Sequence, residues 1–226
     1  MKKLLILTTF LLCAEWGYAQ VNMGFRAGLN AGLFELKNDQ LGDFAVTPRL
    51  NLLLGVDVDI PFSMVFSVRT GLTMAQKSTE VDGMKSADST WTVLFRTNYL
   101  ELPLLLVARA ETDFGNFFIG AGPTFSLGVG GTANILSKRN PDDMLMESTQ
   151  KIKWNGKYDD NTQFRENLIH FKRFDIGLGA ILAYQLPGSG ITFSLNYNKG
   201  FRELSPDPDS ELKTSYICLS FGFLMQ

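Results

Sequence analysis

Residues 191–201 read Ile-Thr-Phe-Ser-Leu-Asn-Tyr-Asn-Lys-Gly-Phe. Ile191, Phe193, Leu195, Tyr197 and Phe201 share one parity; Thr192, Ser194, Asn196, Asn198 and Gly200 share the other. Successive side chains of a strand point to opposite faces, so this stretch is a strand with one apolar and one polar face.

The same alternation runs outward along the chain. Residues 213–225 set Ile217, Leu219, Phe221 and Phe223 against Thr214, Tyr216, Cys218, Ser220 and Gly222. Residues 174–186 set Phe174, Ile176, Leu178, Leu182 and Tyr184 against Asp175, Gly177, Gly179 and Gln185. The pattern recurs over 23–34, 49–60, 64–76, 99–110 and 117–130. Eight strands of about ten residues or more result, each long enough to cross a bilayer when tilted. No helix-period segment of comparable strength and no solenoid repeat is found in the mature chain.

Composition narrows the choice. The chain has 226 residues, a formal net charge of −2, two Cys and one His. Balanced charge gives no pull toward nucleic acid. One histidine and two cysteines rule out a Cys/His metal or haem site and a disulfide framework; no cofactor is expected. No apolar run is long enough for a membrane helix. The first 19 residues have the form of a secretory signal peptide: Lys2 and Lys3, an apolar Leu4–Leu12, and the small-x-small step Gly17-Tyr18-Ala19. Leu12 is too large for the usual lipobox ahead of Cys13, so a lipid anchor is not expected. The mature domain is then 20–226, with Cys218 its one cysteine.

Alternation alone does not say which face is inside. A water-facing exterior is normally rich in Lys and Glu. Here the ten Lys of the mature chain are assigned to connections or strand ends, and the mid-strand charges are Arg26, Arg49, Asp57, Asp59, Arg69, Glu101, Arg109 and Asp175. All eight lie on the polar face among Gly, Ser, Thr and Asn, and their signs cancel. Small residues with pairable charges describe a crowded polar lumen, with the apolar face toward lipid. Connections alternate short (61–63, 111–116, 187–190) and long (35–47, 77–91, 131–169, 202–211). An all-β, eight-stranded antiparallel up-and-down transmembrane barrel follows, with both termini at the short-turn end, in the periplasm. Pro103, pointing inward, is expected to mark a bulge. Asp82-Gly83 and Asn155-Gly156 are hairpin signals, the latter between 150–154 and 157–161.

The segment Tyr99-Leu100-Glu101-Leu102-Pro103-Leu104-Leu105-Leu106 resembles the YLEIPLLL signature of the PorT-like outer-membrane β-barrel family of Bacteroidetes. Arg26-Ala27-Gly28-Leu29-Asn30, Gly120-Ala121-Gly122-Pro123 and Phe174-Asp175-Ile176-Gly177-Leu178-Gly179 are similar to that family's first, fifth and sixth strands. The resemblance implies an eight-stranded outer-membrane barrel. It also implies a link to secretion, since the eponymous member takes part in type IX export.

Chemistry-bearing residues are few. His170 is the one imidazole available to a Ser-His-Asp arrangement, but no serine is singled out to accompany it. Asp142, Asp143 and Glu147, and Asp159 and Asp160, match no calcium-loop spacing, so no metal site is expected. Gly128-Val129-Gly130-Gly131 lacks nucleotide-loop spacing and reads as a strand leaving the barrel. The longest connection, 131–169, carries Lys151, Lys153, Trp154, Lys157 and Tyr158 around its turn, a composition suited to contact with an envelope or secretion protein. The expected partners are outer-membrane lipid, the outer-membrane assembly machinery and such a protein. A non-enzymatic structural or partner-binding barrel is the leading reading; a small pore and a rim-site hydrolase or acyltransferase using His170 are the alternatives.

Overall fold

A computed structural model describes residues 21–38, 42–43, 45–82, 90–138, 146–156, 168–206 and 210–225. Residues 1–19, the expected signal peptide, lie outside them. The strands are β1 (Asn22–Asn38), β2 (Gly42–Asp43), β3 (Ala45–Pro61), β4 (Phe66–Asp82), β5 (Thr90–Thr112) and β6 (Gly115–Lys138). They continue with β7 (Met146–Lys153), β8 (Leu168–His170), β9 (Phe174–Gln185), β10 (Ile191–Gly200) and β11 (Ser210–Met225).

Eight of these close a ring in the order β1–β3–β4–β5–β6–β9–β10–β11, every pair antiparallel. The ring is sealed by β1 against β11, from Met23↔Met225 to Asn38↔Ser210. Each sequence-derived strand maps onto one ring strand. Closure leaves no open sheet edge in the ring, the condition lipid imposes on backbone amides and carbonyls.

The faces follow the sequence parity. Leu29, Leu50, Leu52, Leu54, Leu72, Leu106, Leu182, Phe193, Leu219 and Phe221 are exposed on the exterior, while Asn30, Asn51, Arg69, Thr73, Glu101, Asp175, Asn196 and Ser220 are buried inside. An exterior this apolar is a lipid face. Aromatic rings gather at both its ends: Phe117 against Tyr184 and Phe25 against Phe223 toward the short turns, Phe125 against Phe174 at the other end. Ten residues of tilted strand separate Phe174 from Tyr184, a height of about 25 Å, the usual thickness of the apolar band.

The strands run further than the alternation suggested. β5 has 23 residues and β6 has 24, about twice what a crossing needs, so their ends nearer the long connections stand beyond the apolar band. Residues 77–82 continue β4 instead of forming a connection, and 131–138 continue β6. The Gly128–Gly131 run therefore does not leave the barrel. It stays in the sheet and takes up a bulge: Tyr99 pairs Gly128 while Asn98 pairs Gly130, leaving Val129 extra. Pro103 sits in unbroken register opposite Thr124, and no bulge forms there. β7 pairs β6 antiparallel and β8 parallel, so of 150–154 the residues up to Lys153 join the barrel sheet and Trp154 follows the strand; residues 157–161, the expected hairpin partner, lie outside the described residues. Asp82 does close the β4–β5 pairing opposite Thr92, with Gly83 beyond the described residues.

Leu195 faces outward between Leu182 and Leu219. Leu195→Arg is expected to destabilise the folded barrel by roughly 2–4 kcal/mol if the position is near mid-depth. Ser148→Arg, at an exposed site on β7, is expected to leave stability unchanged. Urea titration of the folded fraction in lipid vesicles checks both.

Candidate functional site: a charged lumen under an apolar lid

The ring places inward-facing ion pairs at three levels, the middle one partly buried and the other two buried. Nearest the short turns, Arg69 Nε lies 3.1 Å from Asp59 Oδ1, which also accepts from Ser67 Oγ at 2.9 Å. The Arg69 guanidinium sits 4.8 Å from the Phe118 ring centre. In the next layer Arg26 Nε stands 3.5 Å from Asp57, and its other nitrogens donate to Asn196 Oδ1 (3.2 Å) and Thr73 Oγ1 (2.9 Å). Asn196 in turn donates to Ser220 and Ser194.

The third layer holds a residue the sequence reading missed. Lys77 is fully buried, its Nζ 2.9 Å from Glu101 Oε1. Glu101 also accepts from Ser126 Oγ and from Tyr216 OH, the latter at 2.6 Å. The ammonium is 4.4 Å from the Tyr99 ring centre and 5.1 Å from that of Tyr216. Lys77 donates to Thr214 Oγ1, which donates to Asp175 Oδ2; Asp175 Oδ1 accepts the Arg202 backbone N–H. A signal was present: Lys77 continues the inward parity of Thr73 and Ala75. Assigning residue 77 to a connection concealed it.

Six of the eight expected lumen charges, Arg26, Asp57, Asp59, Arg69, Glu101 and Asp175, meet inside. Arg109 lies at the short-turn rim, partly exposed, beside Glu111 at 2.5 Å. Arg49 is a correction. The β3–β4 register shifts between Pro48 and Leu53, and the extra residue of that bulge lets Arg49 turn outward, where its exposed guanidinium pairs with Glu80.

Above the third layer an apolar cluster closes the mouth. Phe34, Tyr99 and Leu212 from the wall meet Ile152 of β7, Phe171 and Leu204, with Phe95, Trp154 and Ile169 packed against them. Trp154 stands edge-on to Tyr99, ring centres 5.2 Å apart, and to Phe171 at 5.8 Å. Its ring lies on Gly128, where an added Cβ would come within 2.3 Å of it. Trp154 is therefore part of the lid and turns away from the exposed surface expected of it; Lys151 and Lys153, on the opposite face of β7, are exposed. Lys157 and Tyr158 lie outside the described residues, as do Asp142, Asp143, Asp159 and Asp160.

The filled interior leaves little space. Two lumen cavities of about 20 Å³ each, both bordered by Arg26, are the size of a single water. His170 is buried, its Nδ1 2.7 Å from Asn155 Oδ1. Chemically, the arrangement is a plug of three ion pairs and one hydrogen-bonded carboxylate, Asp175, capped by hydrocarbon.

Residues 18–205 match a family described as outer membrane protein beta-barrel domain. Among solved structures, the chain is similar to the outer membrane protein OprG from Pseudomonas aeruginosa, at 13% identity and TM-score 0.45, covering 91% of this chain and 96% of that one. It is similar to Ail, the attachment invasion locus protein of Yersinia pestis, at 11% identity and TM-score 0.36, covering 89% and 98%. It is also similar to the outer membrane protease OmpT from Escherichia coli, at 8% identity and TM-score 0.35, covering 91% and 96%. No curated protein matches the chain.

Two outcomes follow from this geometry. Lys77→Met leaves Glu101 buried without its cation and is expected to cost roughly 3–5 kcal/mol, with partial recovery in Lys77→Met/Glu101→Gln. Lys213→Gln, on the exterior, is expected to stay within about 0.5 kcal/mol; urea midpoints compare the three. Gly128→Val is expected to evict Trp154, seen as a red-shifted emission and stronger acrylamide quenching relative to the parent.

Proposed function

The chain belongs to the outer membrane protein beta-barrel domain family, and from that premise we propose that it is a non-enzymatic, sealed barrel whose long-connection end binds an envelope or secretion protein. The observation that carries this reading is the lumen. Three levels of paired charge and an apolar lid fill it, and the two cavities between them are water-sized. Eight strands leave an interior only wide enough for side chains, so solute passage is not what this interior is built for. His170 is hydrogen-bonded to an asparagine inside the lid region, which does not supply the nucleophile a hydrolase or acyltransferase needs.

Contact chemistry lies instead on the projecting sheet. β4, β5, β6 and β7 carry it past the apolar band, and Lys151 and Lys153 stand exposed on β7. In the proposed orientation this end faces the exterior of the cell and both termini face the periplasm, as delivery of a signal-bearing chain to the assembly machinery requires. The PorT-like signature at Tyr99–Leu106 supports a place among secretion-associated barrels.

Three measurements test the reading. Reconstituted protein is expected to show no unitary conductance steps in planar bilayers; sustained open currents would favour the pore. With Cys218 replaced by Ser, labelling of intact cells is expected at Ser148→Cys and not at Ser189→Cys; the reverse pattern inverts the orientation. Cross-linked pull-downs are expected to lose their partner in Lys151→Glu/Lys153→Glu while heat-modifiable gel mobility is kept. Those two side chains lie outside the lid, so the double reversal separates binding from closure of the mouth, which deletion of 140–165 would not.

A further inference from the structure

We infer that Arg173 and Arg202 form a binding site for the phosphate of a lipid headgroup in the outer leaflet. This rests on the orientation proposed above. Both arginines are exposed and flank Phe174, a lipid-facing member of the aromatic girdle at the long-connection end. The Arg202 guanidinium lies over the Phe174 ring, 5.9 Å from its centre. A cation resting on the last aromatic of an apolar band sits at the depth where headgroups begin. Backbone bonds hold the two segments side by side: Lys172 N donates to Leu204 O, and Phe201 N donates to Ile176 O.

These arginines combine a place beside the girdle residue Phe174 with the lack of a carboxylate partner. Several strand cations on the exterior at this end do have carboxylate partners: Arg49 with Glu80, Lys199 with Glu35, Lys213 with Glu211. Among the described residues neither Arg173 nor Arg202 is in an ion pair. The acidic groups nearest in sequence are turned elsewhere. Asp175 faces the lumen and accepts Arg202 N–H and Thr214 Oγ1. Glu203 caps the backbone amides of Ser205 and Leu212. Arg173 uses Nε on the Gly128 carbonyl, which orients the guanidinium while leaving its terminal nitrogens for an anion. Guanidinium groups recognise phosphate through paired donors. Two of them at headgroup depth match a phosphate monoester borne on a lipid, whose acyl chains the exterior already accommodates.

The test is lipid retention by purified, detergent-solubilised barrel, read by native mass spectrometry, where orientation in the cell plays no part. Synthetic monophosphoryl lipid A, its dephosphorylated counterpart and inorganic phosphate are the probes. The parent protein is expected to retain the phosphorylated lipid at least tenfold better than the dephosphorylated one, and millimolar inorganic phosphate is expected not to displace it. Arg173→Gln/Arg202→Gln is expected to lose that preference; Arg173→Lys/Arg202→Lys keeps part of it, and Lys199→Gln keeps all of it. Arg202→Gln alone, whose side chain makes no other described hydrogen bond, is expected to lose at least threefold and stands in should the double variant not assemble. Equal retention of the two lipids by the parent, unchanged preference in Arg202→Gln, or full displacement by inorganic phosphate overturns the assignment. The intact-cell labelling at Ser148→Cys addresses orientation separately, so failure of one is distinguishable from failure of the other.

Discussion

Eight strands enclose almost no free volume, and this narrowness governs the rest of the molecule. A ring of this size holds side chains and little water. Any charge inside must then find a counter-charge or hydrogen-bond donors within reach, because a desolvated ion left alone is too costly to keep. Asp59 has Arg69, Asp57 has Arg26, and Glu101 has Lys77 with two hydroxyl donors. Such pairs are weak evidence for stability, since apolar residues of like volume often do as well. They do specify register. Arg69 and Asp59 are cross-strand partners on β3 and β4, and a one-residue slip would send one of the two into lipid.

Glycine does the complementary work of making room. Trp154 can lie on the wall only because residue 128 has no side chain. The neighbouring bulge at Val129 lets β6 run on past the membrane while the Gly128 amide bonds the Arg173 carbonyl. The same short stretch therefore serves the wall, the seat of the lid and the position of an arginine at the membrane surface.

The barrel itself was legible in the sequence because lipid and lumen demand opposite chemistry from successive residues. All eight ring strands can be read from parity; their order follows from the alternating short and long connections, and the inner face from where the mid-strand charges fall. Six of the eight lumen charges can be read the same way. What escaped depends on local breaks in parity or on where pairing stops. A bulge between Pro48 and Leu53 turned Arg49 outward to Glu80; Pro48 stands beside it, but a strand proline alone does not fix a bulge, as Pro103 in unbroken register shows. Lys77 looked like a loop cation because the apolar alternation fades after Met74, yet backbone pairing with β5 continues to Asp82. Trp154 looked like a surface anchor. Its partners Phe34, Tyr99, Phe171 and Leu204 come from four separated parts of the chain, and only tertiary closure brings them together.

The lid links the exposed sheet to the charges below it. On β7, Lys151 and Lys153 face out while Ile152 between them faces the cluster. Trp154 touches Tyr99, and Tyr99 presents its ring to the Lys77 ammonium. A partner that drew β7 away from the mouth would take Ile152 with it and strip the hydrocarbon cover from the Lys77–Glu101 pair. Water reaching that pair would screen it and solvate both ions, so opening costs the apolar contacts of the lid but little in electrostatics. One packed contact, the edge of Trp154 on Tyr99, thus joins the lid to the Lys77–Glu101 pair beneath it.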